Sequence, residues 1–192
     1  MEIIGKEERN NELLNLKDAL SFLDFTDILV EMVYSLRYKT GEVVDIYNDP
    51  VYKILNAIRW VSNNLSDILS RKGIDTSPKI TQDDAITGIV YFIRASKDIE
   101  NTLRGIENTL REENISVNVN RYEINERMIE DWLDNPRLKY YVIEILIKYA
   151  IHKLQLAKSC LEKSAYKDLA NKVEKIINSL SNIEIKNKPN EA

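Results

Sequence analysis

Trp60 stands among Lys53, Asn56, Asn64, Asp67 and Arg71 on the polar side of a helical repeat. At roughly 100° per residue it lies about 150° from the centre of that repeat's apolar face. An indole beside ammonium and guanidinium groups suits two chemistries: an anchor for a protein partner, or a platform on which a nucleobase stacks. Trp60, Lys53, Asn56, Asn64 and Arg71 are therefore the candidate partner-binding residues. A further helix laid over this face would instead bury the indole in the core. Lys153 is the second residue out of place. It falls between Leu146, Tyr149, Ala150, Ala157 and Cys160, on a face that should be buried. An ammonium there must snorkel, meet a carboxylate from another helix or line a wet pocket, because an unpartnered buried charge is costly. Lys153 is the candidate buried charge or pocket residue.

Glu123, Glu126, Glu130 and Asp134 form a like-charge stripe at helical spacing. Such carboxylates can hold magnesium or manganese with help from substrate or water, and equally form a solvated face or pair with the lysine-rich C-terminal region. Other catalytic templates fail on residue type. One His and one Cys cannot supply a zinc cluster, a disulfide framework or the two Glu-x-x-His motifs of a ferritin-like di-iron bundle. Gly88 and Gly105 are isolated, so there is no phosphate-cradling loop. Helical ribonucleases of the HEPN family carry an Arg, then four to six intervening residues, then a His, but Ile145, Leu146 and Ile147 stand where that Arg would precede His152. His152 flanks the apolar side of its helix and reads as a packing residue. No catalytic residue, metal site or cofactor is expected.

The elements that must position these groups are helices. Asp49-Pro50 opens one and Gly73, after Arg71-Lys72, closes it. Val51, Ile54, Leu55, Ile58, Val61, Leu65, Ile68 and Leu69 make its apolar face, with Ser62 at the edge. A third helix runs from Thr81, with Asp84 in a capping-box position, to about residue 113. Its apolar residues from Ala85 to Leu110 follow a heptad spacing, and Ile99–Arg104 recurs as Ile106–Arg111. That seam fits either a dimeric coiled-coil arm or a long helix inside an antiparallel bundle. Asn135-Pro136 opens a helix over 136–164 that is apolar round most of its circumference, apart from a seam of Arg137, Glu144, Lys148, Gln155, Lys158 and Glu162. A helix of that kind is packed on several sides and should be central. Another helix follows over 166–181, and a short one precedes over 122–134.

Near the N-terminus, Leu13, Leu16, Leu20 and Leu23 share one face, while Phe25, Ile28, Leu29 and Met32 share nearly the opposite one. Two helices meeting there, or one long helix changing partners, both satisfy the pattern. Segments 42–47 and 115–119 could be extended, but neither can found a sheet. The expected fold is all-α: a bundle of five to six helices around the hydrophobic helix 136–164, in one domain over 1–186 with a flexible tail at 187–192.

Composition agrees. The 192 residues are 44% hydrophobic and 30% charged, with only five Gly and four Pro, as in an ordinary globular helical chain. No apolar run reaches the roughly 18 residues that span a bilayer and no signal peptide opens the chain, so a cytoplasmic protein without membrane association is expected. The ion-pair-rich, Cys-poor composition would suit a thermophile. The formal charge of −4 disfavours nucleic acid. It hides two opposed halves, however: residues 1–136 carry 16 Lys+Arg against 25 Asp+Glu, and residues 137–192 carry 11 against 6. A local basic face therefore remains available. The expected function is a non-catalytic interaction protein, whether adaptor, homo-oligomer or small subunit of a larger complex, bound to a protein partner or to itself. The alternative is a nucleic-acid-binding small subunit of a ribonucleoprotein or defence complex, which such a chain resembles only in size and helical character.

Overall fold

A computed structural model describes residues 2–39, 45–77, 81, 83–84, 87, 97–114 and 131–185. Five long helices occur among them and no strand: α1 (Glu2–Lys39), α2 (Pro50–Arg71), α3 (Lys97–Glu112), α4 (Pro136–Glu162) and α5 (Lys167–Ser181). The fold is an all-α bundle. Glu123, Glu126, Glu130, the tail 187–192, segment 115–119 and the seam residues before 97 lie outside the described residues.

The helix boundaries follow from local chemistry. Asp49 accepts the Tyr52 amide at 3.1 Å ahead of Pro50. Asn135 accepts the amides of Arg137 and Leu138 at 2.9 and 3.2 Å ahead of Pro136. At the other end of α2 the chain turns left-handed at Gly73, with φ 76°. The Ile74 amide reaches back to the Leu69 carbonyl and the Gly73 amide to Ser70, the paired bonds of a Schellman motif. Asn114, φ 57°, plays the corresponding part after α3. Thr81 and Asp84 form the expected reciprocal box, with Thr81 N–H to Asp84 at 2.9 Å and Asp84 N–H to the Thr81 hydroxyl at 3.2 Å.

The N-terminal ambiguity resolves as one continuous helix. α1 runs unbroken for 38 residues, about 57 Å, through the point where its apolar stripe changes face. At that point sits Thr26, fully buried, its hydroxyl donating to the Phe22 carbonyl at 2.9 Å. The back-bond lets a polar side chain occupy an apolar junction without an unmet donor. On the C-terminal half of α1, Asp27 and Glu31 meet Arg59 of α2 at 3.2 and 3.3 Å, and Tyr34 meets Tyr52 at 6.1 Å between ring centroids. On its N-terminal half, Phe22 faces Lys153 of α4, and Glu12 accepts the Ala165 amide just beyond α4 at 3.0 Å. Both pairings are antiparallel, so α2 and α4 flank α1 in the same direction.

α4 packs against α1, α2, α3 and α5, which explains its nearly all-round apolarity. Its polar seam is used at the borders with α3 and α5. Arg137 pairs with Glu112 at 2.6 Å, Lys148 reaches the Thr102 hydroxyl at 3.4 Å, and Lys158 lies 3.4 Å from Glu162 and 3.5 Å from Glu174. In α3 the described part of the heptad seam, Leu103, Ile106 and Leu110, is buried within the chain. Gly105 lies beside it, and a Cβ added there would overlap the Tyr141 ring of α4. Glycine costs about 1 kcal/mol in a helix interior, and here it sets the close approach of α3 to α4.

Candidate functional site

Between α2 and α5 lies a solvent-open groove of about 750 Å³. Its α2 wall is Lys53, Asn56, Ala57 and Trp60, spaced i, i+3, i+4, i+7, so one straight ridge faces the opening. The α5 wall repeats that spacing with Lys172, Lys175, Ile176 and Ser179. Leu180 and Ile183 complete an aliphatic floor with Ala57 and Ile176, and Glu184 stands at the border.

Trp60 dominates the site. Its side of α2 points away from the core made by Ile54, Ile58, Val61 and Leu65, and 41% of the residue is exposed. The chain's other tryptophan, Trp132, is buried at 4%. No helix among the described residues covers Trp60. Lys53, Lys172 and Lys175 are exposed and make no ion pair among the described residues. Of the five candidate residues from the sequence, the structure brings Trp60, Lys53 and Asn56 into the groove. Asn64 and Arg71 do not line it. The Asn64 amide donates to the carbonyl of Trp60 at 2.7 Å, so it serves its own helix. Arg71 lies exposed at the far end of α2, about 16 Å along the axis from Trp60.

Nothing local to α5 marks it as a wall of this groove, although Lys172, Lys175, Ile176 and Ser179 carry the same spacing as the α2 ridge. The positive C-terminal half was the available signal. Which helix it would oppose was not.

Lys153 lies elsewhere, half-buried between α1 and α4. Its Nζ sits 5.3 Å from the centroid of the Phe22 ring and 5.5 Å from that of Tyr149. Burial pulls the ammonium below its ordinary pKa, while the two ring faces give the remaining charge a cation–π environment. The position therefore has a structural account that needs no substrate. Burial, then the charge of Lys153, hold His152 below its ordinary value. Burial, then the nearby Asp18 carboxylate, push the Cys160 thiol up. Both directions favour the uncharged forms, the imidazole and the thiol.

The carboxylates of α1 are the other perturbed group. Burial, reinforced by the charge of Asp27, raises Asp24 to about 6. Burial also raises Asp27, against the lowering effect of Arg59. No group of His, Cys, Asp and Glu able to hold a metal ion occurs among the described residues. Asp134 of the acidic stripe is exposed. No helix among the described residues is long and apolar enough to cross a membrane. Compared with family models, curated proteins and solved structures, the chain matches none.

Proposed function

We propose that this chain is a non-catalytic interaction protein, an adaptor or small subunit, whose docking site is the groove between α2 and α5. The observation that carries the reading is the exposure of Trp60, 41%, on the wall of an open groove of about 750 Å³. A large indole held on a rigid helix loses little conformational freedom on binding and removes much apolar surface from water, which is why tryptophan dominates binding hot spots. The aliphatic floor extends the surface that a partner would cover. A single half-buried Cys suits a reducing compartment such as the cytoplasm.

The test is chemical cross-linking of the tagged chain in its own cells. Adducts that persist with Trp60→Phe and vanish with Trp60→Ser support docking at this groove. Adducts indifferent to Trp60→Ser overturn it. Light scattering of the purified chain then separates a second copy from a different protein as the occupant.

A further inference from the structure

Resting on that docking reading, we infer that the groove takes an amphipathic helix with acidic residues flanking its apolar stripe. Two parallel features of the groove lead there. Its walls are ridges at i, i+3, i+4, i+7 spacing on two helices, and the valley between such ridges is the shape into which a third helix packs. Its floor is aliphatic, through Ala57, Ile176, Leu180 and Ile183.

The charge of the rim specifies the partner. Lys53, Lys172 and Lys175 border the groove against the single carboxylate of Glu184. Two partly buried lysines elsewhere are neutralised by carboxylates: Lys148 pairs with Glu144 at 3.2 Å and Lys158 with Glu162 and Glu174. Of the two acidic residues of α5, Glu174 is turned to Lys158 of α4, and Asp168, one turn before Lys172, makes no ion pair with it among the described residues. The groove face of α5 is thus left basic on a chain whose formal charge is −4. Three ammonium groups that make no ion pair among the described residues, set around an apolar floor, complement a helix carrying Asp or Glu beside Leu, Ile or Phe.

A single-stranded nucleic acid would use the same lysines but asks more of the floor. Successive bases need successive rings, and among the described residues Trp60 is the one aromatic side chain on the groove's walls. The second helix-bearing candidate, another copy of this chain, is distinguished by the oligomeric state.

The experiment uses the intact chain carrying Trp132→Phe, so that Trp60 alone reports. A display library of 16-residue amphipathic helices, with Leu, Ile or Phe fixed at i, i+3, i+4, i+7 and the flanks randomised, is selected against it. The expected binders carry Asp and Glu in the flanks and shift Trp60 emission to shorter wavelength. Their affinity falls at least tenfold with the pair Lys172→Glu and Lys175→Glu, and falls several-fold between 50 and 300 mM salt. Both lysines are exposed, and unchanged far-UV circular dichroism of the double variant confirms its fold. Selected flanks that are neutral or basic overturn the acidic partner while leaving a docking groove. A library that yields no binder sensitive to Trp60→Ser overturns the helical partner, as does preferential binding of a dT12 oligonucleotide. Loss of the docking reading itself is separate, since it is read from the cellular cross-links.

Discussion

Among the described residues, lysine meets an aromatic environment in two places, with opposite results. At the α1–α4 junction, Lys153 is half-buried and its ammonium lies over Phe22 and Tyr149. At the α2–α5 groove, Lys53, Lys172 and Lys175 surround an exposed Trp60 and pair with nothing among the described residues. The residue types are alike, but the neighbours are not. α4 has helices on several sides, so any cation on its apolar face must be satisfied inside the fold. α2 and α5 are each held from the α4 side and leave a valley between their outer ridges, where a cation keeps its water until something replaces it. Partial burial makes the first site a matter of stability, and openness suits the second to the binding proposed for it.

Charge reversal separates the two most sharply. Lys153→Glu places a carboxylate against the electron-rich faces of both rings and should cost about 2 kcal/mol in urea unfolding, below the range for a fully buried unpaired charge because solvent reaches this half-buried site. Lys175→Glu should cost no more than about 0.5 kcal/mol, as for an exposed site. Equal losses would erase the distinction.

Phe22→Leu keeps most of the apolar volume but removes one ring face, and should lower stability by about 1 kcal/mol. No change would mean that Phe22 contributes nothing to holding the ammonium.

The carboxylate on the same helix behaves differently again. Asp24 has a folded pKa of about 6, above its ordinary 3.8, mainly through burial. Its ionised form therefore opposes folding above about pH 6, and that opposition disappears as the pH falls towards 4. Asp24→Asn should raise stability by about 1 kcal/mol at pH 8, a figure already discounted for the solvent that reaches the carboxylate. The gain should vanish near pH 4, and thermal melts at the two pH values check the sign.

The smallest effect concerns the inner side of α2. Ser62 is buried, and its Oγ has no hydrogen-bond partner among the described residues. Ser62→Ala should therefore be neutral or stabilising by about 0.5 kcal/mol, because it removes an unmet polar group with little change of shape. It should leave acrylamide quenching of Trp60 unchanged, so the two faces of one helix can be altered independently.

Helix starts and stops were legible because they rest on short-range chemistry. The Asp49-Pro50 and Asn135-Pro136 pairs and the left-handed Gly73 each act within five residues of sequence. The central place of α4 was legible too, since only a helix with several neighbours can be apolar on most sides. α1 was not. A stripe that changes face looks the same whether the chain breaks or the helix changes partner, and Thr26 reads equally as a cap or as a buried back-bonding residue. At the candidate site, Trp60 was visible as an indole on the wrong side of its helix. The groove was not, because its second wall comes from residues more than 100 positions away, and no local pattern specifies which helices become neighbours. Lys153 fell between these cases. Its misfit was evident in the periodicity of α4, whereas its resolution by Phe22 depended on α1.

The bond from Glu12 to the Ala165 amide joins residues separated by 153 positions, and it marks how late the core can close. α1 and α2 can pair as soon as both have left the ribosome, but the other face of α1 waits for α4. About 90 residues separate the end of α2 from the end of α4. At roughly 5–20 residues per second, the described helix that covers that face is completed about 5–18 s after α2, so among the described helices the core of the bundle closes late in synthesis.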